Sequence, residues 1–525
     1  MLKKILSKKY YFFCLVLSFL VLMCTSKNSF LYELNDWVDA NAFFTMGKSM
    51  MNGVVPYRDL FEQKGLILYV IYGIGYLLCH KAFYGVFILE VFCFSIFLYY
   101  AHKIFKMYLN PKYSLILLPI LSCLITTSHA FVHGGSCEEF ALTFMVVSLY
   151  YFFKHFKVNK LTNKEILING IMAGIVFMMK YTMIGIWVGF GLFIFIDYLM
   201  DKKVKEAFKF CLLFILGVLI PVLLCFIYLG INHAIKDYID CYFLFNITLY
   251  SDDSNISIID NLVKLANGSM GSLVKNGNLL TVLVLGLPVF LLNIKDERNN
   301  KYFRFSLLGL ALLTVLVIYW GLKFYTYYLL PVYVFLIISL LSISLLFDKY
   351  IMKYINKLKY KKILLYSLFI IVPIVSIYLC YTNANYKNVR AWSKKAFFQF
   401  KYAEYINSYK NPTLLNMGFL DGGLYTTTGI IPNVRFFEVQ NIDYKVFPDN
   451  LDEQNKAVVN KKVKFILFYT GMSLDWLKEN NGFIWDNYEL VYDDVYYFEH
   501  KTMNAFLFKL KGLENSKKVQ NWTFF

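Results

Sequence analysis

Cysteine is missing from the polar C-terminal part of this chain, and no CxxC pair occurs in any segment. All ten cysteines lie in or beside apolar runs, which excludes a disulfide framework and a cysteine-based zinc site. Internal repeats are also missing, and no small-residue cleavage site follows the first apolar run at 10–25. We therefore expect that run to be an uncleaved first transmembrane helix.

Acidic residues are few, since 35 Asp and Glu stand against 53 Lys and Arg for a formal net charge of +18. The basic residues fall in short clusters between apolar segments, which is typical of cytoplasmic loops in membrane proteins and argues against nucleic-acid binding. Hydrophobic residues make up 58% of the chain, and the mean hydropathy is +0.51. This composition predicts a polytopic α-helical membrane protein with one small soluble domain.

Basic loops predict the topology, because such loops stay in the cytoplasm. These loops lie at 1–9, 102–112, 154–165, 200–209, 294–304 and 348–362. Between them we predict about eleven transmembrane helices, which puts the N-terminus inside and the C-terminal part outside. The predicted helices lie near 10–25, 83–101, 113–131, 137–153, 166–179, 181–199, 208–230, 278–293, 304–320, 325–347 and 363–381.

Two segments leave the crossing number open. The apolar run 66–79 has a length typical of re-entrant segments, so we expect it to dip into the membrane without crossing. Only Lys180 and Tyr181 separate the spans at 166–179 and 181–199. A single long tilted helix is the alternative there, and it would move the C-terminal part to the other side.

Composition divides the chain into a transmembrane domain, 1–383, and an extracytoplasmic soluble domain, 384–525. Runs typical of β-strands at 413–419, 465–471 and 488–498 predict a small α/β fold for the soluble domain. The motif Asp421-Gly422-Gly423 lacks a phosphate-loop pattern, and we interpret it as a turn. In the long external loop 231–277, apolar residues recur at helical spacing from position 258 and predict a helix lying on the membrane surface.

Charged residues concentrate in the first predicted external loop, 26–65. Asp36 and Asp39 are three residues apart, which puts them on one face if this stretch is helical. Apolar residues from Phe43 to Met50 recur at helical spacing, so we predict a short amphipathic helix on the membrane surface. The loop also carries Glu33, Lys48, Arg58, Asp59, Glu62 and Lys64.

This charge pattern has two interpretations. Acids early in the loop and the cations Arg58 and Lys64 near its end could deprotonate an acceptor hydroxyl and hold a phosphate. A solvated loop, whose charges only keep it out of the bilayer, would show the same spacing. Spacing alone does not choose between them.

The order of an external acid, an amphipathic helix, a glycine before a proline and then Phe-Glu-Gln-Lys-Gly resembles the first external loop of GT-C glycosyltransferases, over residues 35–69. The resemblance is closest to bacterial relatives of protein O-mannosyltransferases and of the lipid A aminoarabinose transferase. Asp39 matches the acid that opens this loop in the family, and Lys64 matches the lysine of its closing element. The chain departs from the family in lacking the prolines of that element and in having Ala40 where many members carry a second acid, so Asp36 stands as a substitute.

What the resemblance implies is inverting transfer of a sugar from a polyprenyl-phosphate carrier to an acceptor on the outer face. Asp39 is then the expected general base, with Asp36 as its partner or substitute. Lys64, Arg58 and Lys180 are the candidate ligands of the donor phosphate. Lys180 lies between apolar spans in a setting similar to a lysine of the family, and a lysine that reaches to the membrane interface is the alternative.

Two further elements resemble parts of the GT-C pattern. Glu138 and Glu139 could supply the acid of the next external loop, although carboxylates are favoured at any helix amino end. Lys323, Tyr327 and Tyr328 resemble an aromatic element of the family and are acceptor-site candidates. An aromatic belt at the bilayer edge explains these tyrosines equally well.

The sequence also allows a divalent cation, because His129 and His133 lie four residues apart with Glu138 nearby. No further ligand is evident, so no cofactor is certain. Glu90 falls within a predicted span, and we expect it to face the interior of the helix bundle.

The predicted function is transfer of a sugar from an undecaprenyl-phosphate-linked donor to a cell-wall polymer, a teichoic acid or another surface glycan. Its expected partners are that donor, that acceptor and the lipid bilayer. Two other functions stay open. A transporter or flippase of lipid-linked sugars would carry charges along the pore-facing sides of several helices, and a non-catalytic partner of a transferase would need no intact site.

Overall fold

The structure, a computed structural model, describes residues 2–158, 161–250, 258–293, 300–355, 357, 359–498 and 501–514. These residues form two compact units. Unit 1 contains residues 1–31, 87–227 and 251–387, and unit 2 contains residues 32–86, 228–250 and 388–525. Residues 32–65 of the first external loop and the C-terminal tail, residues 388–525, therefore belong to the same unit.

The N-terminal half is almost entirely helical. A capping box between Thr162 and Glu165 begins one of its helices. Its helices are α1 (Leu2–Thr25), α2 (Val38–Met51), α3 (Leu66–Leu78), α4 (Tyr84–Phe105), α5 (Pro111–Thr126), α6 (Cys137–Val158), α7 (Asn163–Phe177), α8 (Gly185–Met200) and α9 (Val204–Ile231). A 3₁₀ turn, Tyr181–Met183, separates α7 from α8.

The second half begins with further helices and ends in a small mixed domain. The helices are α10 (Ile235–Tyr238), α11 (Ile258–Lys275), α12 (Gly277–Asn293), α13 (Asn300–Ile318), α14 (Leu336–Tyr350), α15 (Met352–Ile355), α16 (Lys361–Asn383), α17 (Phe398–Asn407), α18 (Leu424–Thr428), α19 (Asp449–Val459), α20 (Leu474–Asn480) and α21 (Ile484–Asn487). A π-helical segment covers Ile239–Leu249, and 3₁₀ segments cover Thr326–Phe335, Lys387–Ala391 and Lys394–Ala396.

Six helices among the described residues are long and apolar enough to cross a membrane, or seven if the bent pair α11 and α12 forms one span. The six are Lys8–Thr25, Tyr84–Phe105, Val204–Ile231, Asn300–Ile318, Thr326–Tyr350 and Lys362–Asn383. The shorter apolar helices α3, α5 and α8 add to these. The predicted number of eleven crossings stays a prediction, as does the orientation of the termini.

Unit 1 is held together by close helix packing at small residues. An added Cβ at Gly170 of α7 would lie 2.8 Å from the Cα atom of Gly217 in α9, so only glycine allows this approach. Two buried polar side chains, His155 of α6 and Asp197 of α8, hydrogen-bond at 2.8 Å. The break between α7 and α8 excludes one continuous α-helix through Lys180.

In unit 2, α2 packs closely against α3. A Cβ atom at Gly47 would lie 2.5 Å from the main-chain nitrogen of Gly73, which brings the two backbones into contact. Asn52 ends α2, and Gly53 follows with φ +87°. The helix predicted in the first external loop is therefore present.

Two details predicted for α2 are wrong. The helix begins at Val38, so Asp36 lies before it and does not share a helical face with Asp39. Protein buries almost every residue from Val38 to Ser49, so α2 is a packed helix and does not lie on the membrane surface with one face exposed. The polar side of α2, which the sequence analysis expected to be exposed, is covered by residues that are distant in the sequence.

The tail forms a four-stranded sheet with the strand order β1-β2-β4-β3. The strands are β1 (Leu414–Met417), β2 (Phe465–Thr470), β3 (Tyr488–Phe498) and β4 (Lys501–Leu510). β1 pairs parallel with β2, and the other pairs are antiparallel. Three strands fall on the predicted runs, and β4 was missed. The predicted class, a helical membrane protein with a small C-terminal sheet domain, is confirmed.

Some predicted features lie outside the described residues. They include Lys160 in one basic loop, residues 294–299 in another, and residues 251–257 of the long external loop. The helix predicted from position 258 is present as α11.

Candidate functional site

The first external loop belongs to unit 2 from residue 32 onwards, and this part contains all five of its carboxylates. Of its five carboxylates, Asp36 and Glu62 are only 6% and 3% exposed. Asp39, in the first turn of α2, is half-buried, as is Asp59, and Glu33 is exposed. A loop whose charges served only solvation would expose most of them.

Asp36 is bound by the tail. The hydroxyl group of Tyr496 donates a hydrogen bond of 2.5 Å to Asp36 Oδ2, although 460 positions separate the two residues. No sequence pattern indicated this contact.

Lys64 lies beside Glu62. Its Nζ atom is 3.9 Å from Glu62 Oε1 and 5.8 Å from the ring centre of Phe43. Glu62 also accepts hydrogen bonds from the main-chain N–H of Lys64, at 3.0 Å, and from the hydroxyl of Tyr69. The Lys64 main chain is fixed further by the hydroxyl of Tyr57, which donates to its carbonyl oxygen at 2.8 Å. The main chain of Lys64 is therefore held in place by hydrogen bonds, while its side chain stays partly exposed.

Arg58 is exposed and already paired. Its Nε atom lies 2.7 Å from Asp59 Oδ1 and its Nη2 atom 2.9 Å from Oδ2, a bidentate arrangement. The hydrogen bond to Asp59 raises the pKa of Arg58, and the same bond lowers the pKa of Asp59. A third bond joins Arg58 to the carbonyl oxygen of Asn232 at 2.7 Å.

Two buried charges lie where α2 meets the tail. Asp421 accepts hydrogen bonds from the Thr45 hydroxyl at 2.8 Å and from the main-chain N–H of Gly423 at 2.9 Å. Lys48 donates to the carbonyl oxygens of Tyr425 and Ile430 at 2.7 and 2.6 Å. Burial lowers the pKa of Lys48 to about 7 and raises that of Asp421 to about 6.

The sequence had indicated only a turn at Asp421-Gly422-Gly423, and the turn is present because Gly423 has φ +86° and donates to the Asp421 side chain. The burial of the Asp421 carboxylate against α2 was not predicted.

A further buried acid in the tail is Glu438, which is 1% exposed. It accepts hydrogen bonds from the main-chain N–H of Asp421 at 2.7 Å and from Gln440 at 3.1 Å. Burial, reinforced by the negative charges of Asp421, Glu62 and Asp39, raises the pKa of Glu438 well above its usual range. Unit 2 thus gathers carboxylates from the loop and the tail.

The other predicted site residues lie in unit 1. Lys180 Nζ is 2.5 Å from Glu138 Oε1 and 3.3 Å from the ring centre of Tyr328, so the ammonium group has both an ionic and a cation–π partner. Tyr327 packs edge-on against Tyr328, with ring centres 4.9 Å apart. Lys323, three residues before the 3₁₀ segment that carries both tyrosines, is half-buried.

Glu139 and Glu90 form a second buried acidic group in unit 1. Glu90 accepts from the Ser26 hydroxyl and from Asn28, both at 3.0 Å to Oε2, which identifies the partners of this interior carboxylate. Glu139 Oε2 accepts from the main-chain N–H of Gly135 at 2.8 Å.

Glu138 and Glu139 therefore point to different partners, although they are adjacent in sequence. His133, considered as a metal ligand, stacks on Tyr386 instead, with ring centres 4.6 Å apart. Within the described residues, no three His, Cys, Asp or Glu side chains are arranged to hold a metal ion.

Residues 2–382 match the family model of the competence-induced protein Ccs4 N-terminal domain. The chain belongs to this family. The matched residues include the first external loop, the Lys180–Glu138 ion pair and the buried acids Glu90 and Glu139. They do not include the tail. No curated protein matches the chain.

Two solved structures share the fold of this Ccs4-family chain. The crystal structure of ArnT from Cupriavidus metallidurans bound to undecaprenyl phosphate has a TM-score of 0.59 and 11% identity, and the match covers 97% of this chain and 98% of that one. The apo state of the same protein gives a TM-score of 0.56, 10% identity and coverage of 96% and 98%. The fold expected from the resemblance is confirmed, and the chain is a multi-pass membrane protein.

Proposed function

We propose that this protein is a membrane glycosyltransferase of the GT-C type, which transfers a sugar from a polyprenyl-phosphate-linked donor to a surface glycan. Asp39 accepts the proton of the acceptor hydroxyl. The resulting oxygen attacks the anomeric carbon, and the bond from that carbon to the donor phosphate breaks. The configuration at the anomeric carbon is thereby inverted. The polyprenyl phosphate leaves with the bonding electrons.

The observation that carries this proposal is the construction of the first external loop. Asp39 stands half-buried at the amino end of α2, where the helix dipole favours its charged form. The helix beneath it is buried and packed against both α3 and the tail. Such support is what a fixed general base needs and what a merely solvated loop lacks.

The donor side of the proposal is supported by the fold and by the cations. ArnT, whose fold this chain shares, was crystallised with undecaprenyl phosphate. Lys64 and Lys180 are the proposed ligands of the donor phosphate, because each ammonium group is partly exposed and held in place by its neighbours. Arg58 is a weaker candidate because Asp59 already occupies its guanidinium group.

The acceptor side rests on topology. We propose that the N-terminus is cytoplasmic and the tail extracytoplasmic, which puts the loop and tail on the outer face with a cell-wall polymer such as a teichoic acid. Glu139, Lys323, Tyr327 and Tyr328 are further proposed contacts of the donor or the acceptor.

The deciding experiment compares cell-wall glycan composition in a deletion strain with the same strain complemented by the wild type, Asp39→Asn or Glu33→Gln. Glu33 is an exposed carboxylate of the same loop and serves as the matched control. We expect one sugar substituent to disappear on deletion and to return with the wild type and Glu33→Gln, but not with Asp39→Asn. The lost sugar then identifies the substrate.

Two results would contradict the proposal. Restoration by Asp39→Asn at wild-type levels would remove Asp39 as the base, and Asp36→Asn would then be the next variant. An unchanged wall, with lipid-linked sugar accumulating on the cytoplasmic side of the membrane, would identify a transporter. Membrane levels of each variant must match, so that loss of insertion is not mistaken for loss of activity.

A further inference from the structure

One of the hydrogen bonds that join the tail to the first external loop links a tyrosine hydroxyl to a buried carboxylate just before α2. Tyr496, on β3, donates to Asp36 Oδ2 at 2.5 Å. Tyr496 is 4% exposed and Asp36 is 6% exposed, so water has little access to either group. A short bond to a buried carboxylate is among the stronger hydrogen bonds in proteins.

Three aromatic side chains of the tail hold the Tyr496 ring. Phe398 packs edge-on against it with ring centres 5.3 Å apart, and Trp392 and Phe397 lie 6.2 and 6.3 Å away. Pairing between β3 and β4, where Tyr496 faces Met503, fixes its main chain. The hydroxyl group is therefore aimed at Asp36 by the folded tail.

The Asp36 end of the contact is equally well fixed. The main-chain N–H of Trp37 donates to the Asn35 side chain at 3.1 Å, and Asn41 donates to the carbonyl oxygens of Asn35 and Trp37 at 2.9 Å each. These bonds set the point at which the chain enters α2. Asp36 stands at that point, three residues before Asp39.

We propose that Tyr496 is a positioning residue of the transfer reaction, which fixes Asp36 and thereby the start of α2 and the location of the Asp39 carboxylate. This inference rests on the proposed function. Burial and the negative charge of Asp36 raise the pKa of Tyr496, so its hydroxyl keeps the proton that it donates. The tail then contributes to catalysis, because Tyr496 supplies the hydrogen bond that keeps Asp39, the proposed base, in position.

The test uses the full-length protein in detergent, with a labelled polyprenyl-phosphate sugar as donor and cell-wall material from the deletion strain as acceptor. Tyr496→Phe removes one oxygen atom, and Tyr497→Phe is the matched control on the next residue of the strand, where the side chain is 55% exposed. We expect Tyr496→Phe to lower kcat roughly ten- to a hundredfold, as for loss of a hydrogen bond to a charged group, with the donor KM unchanged. Tyr497→Phe should match the wild type in both constants.

Asp36 offers two complementary variants. Asp36→Asn keeps an oxygen that can accept the Tyr496 bond, so it should retain more kcat than Tyr496→Phe. Asp36→Ala removes the acceptor and should lose as much kcat as Tyr496→Phe, with no further loss in the double variant. If Tyr496→Phe does not fold, Asp36→Ala tests the same contact.

Each outcome decides the inference. Wild-type kcat in Tyr496→Phe or Asp36→Ala overturns it, and so does a folded Asp36→Asn protein with no transfer, which would give Asp36 a direct role in proton transfer. A rise in KM with unchanged kcat would also overturn it by indicating a binding role. An inactive wild type would instead refute the proposed function, and the inference would fall with it.

Discussion

The side chain of Lys48 donates a hydrogen bond of 2.7 Å to the carbonyl oxygen of Tyr425, which joins the first external loop to the tail through a buried ammonium group. Burial lowers the pKa of Lys48 to about 7, and the Asp421 charge offsets part of this effect. The pKa of a lysine in an unfolded chain is about 10.4. Between pH 7 and this value the unfolded chain binds the proton more tightly than the folded one. Stability should therefore rise with pH across this interval, by at most about 1.4 kcal/mol per pH unit.

This pH dependence can be measured from the thermal unfolding midpoint of the full chain in detergent at pH 7, 8 and 9. In Lys48→Met, the rise of the unfolding midpoint with pH that Lys48 causes in the wild type should be missing. Lys205→Met, which removes an exposed lysine of unit 1, should keep the wild-type slope. Identical slopes in the wild type and Lys48→Met would contradict the assignment to Lys48.

The contact between α2 and α3 predicts that Gly47→Ala is destabilising. The new methyl group would lie 2.5 Å from the Gly73 nitrogen and 2.8 Å from the Tyr72 carbonyl carbon, and neither backbone atom can move aside alone. We expect a loss of about 1–3 kcal/mol and a lower unfolding midpoint. Gly191→Ala in α8, where nothing lies within 4 Å, is the control and should be neutral or stabilising by up to about 1 kcal/mol. Equal midpoints for the two variants would show that the helices tolerate separation.

The ion pair between Lys180 and Glu138 can be tested with a double-mutant cycle. Glu138→Gln leaves the Lys180 ammonium group, whose side chain is only 12% exposed, without the charge of Glu138, so this variant should lose at most about 3–5 kcal/mol of unfolding free energy. Glu138→Gln combined with Lys180→Met should cost less than the single change, because no buried charge is left. Simple additivity would mean that the two charges do not interact. Asp494→Asn, which breaks the more exposed pair with Lys401, should cost at most about 1 kcal/mol.

The two cations of the first loop should differ in their effect on donor binding. Lys64 is 14% exposed and its ammonium group lies 3.9 Å from the Glu62 carboxylate, whereas Arg58 is 41% exposed and holds Asp59 in two close bonds. We expect Lys64→Met to raise the donor KM roughly tenfold or more, and Arg58→Met to change it by less than about threefold. Steady-state kinetics with varied donor separates the two. A larger effect at Arg58 would reverse this ranking.

Local sequence patterns identified the long apolar helices and most of the strands. Apolar runs marked α4, α9 and α16 within a few residues, since length and hydropathy are local properties. Short runs typical of β-strands marked three strands of the tail, and the hairpin partner β4 was missed although its main chain completes the sheet. The GT-C resemblance over 35–69 predicted a fold that the comparison with ArnT confirms.

Part of the candidate site was also visible in the sequence. The concentration of charge around Asp39 and Lys64 needed no structure to be noticed, and Glu138 and Glu139 were both candidates for the acid of the next external loop. Their roles stay predictions. The sequence could not tell that Glu138 turns towards Lys180 while Glu139 turns towards the Gly135 N–H. On a helix, adjacent residues point about 100° apart, so each finds a different neighbour.

The sequence by itself determined a multi-pass helical protein with an acidic first loop and a small C-terminal domain, because composition and periodicity act over a few turns of chain. Only the tertiary structure decided that this loop is buried and that the tail holds it. Asp36 meets Tyr496 across 460 positions, and Thr45 meets Asp421 across 376. Contacts between residues so far apart leave no trace in local patterns, since they depend on how the whole chain packs.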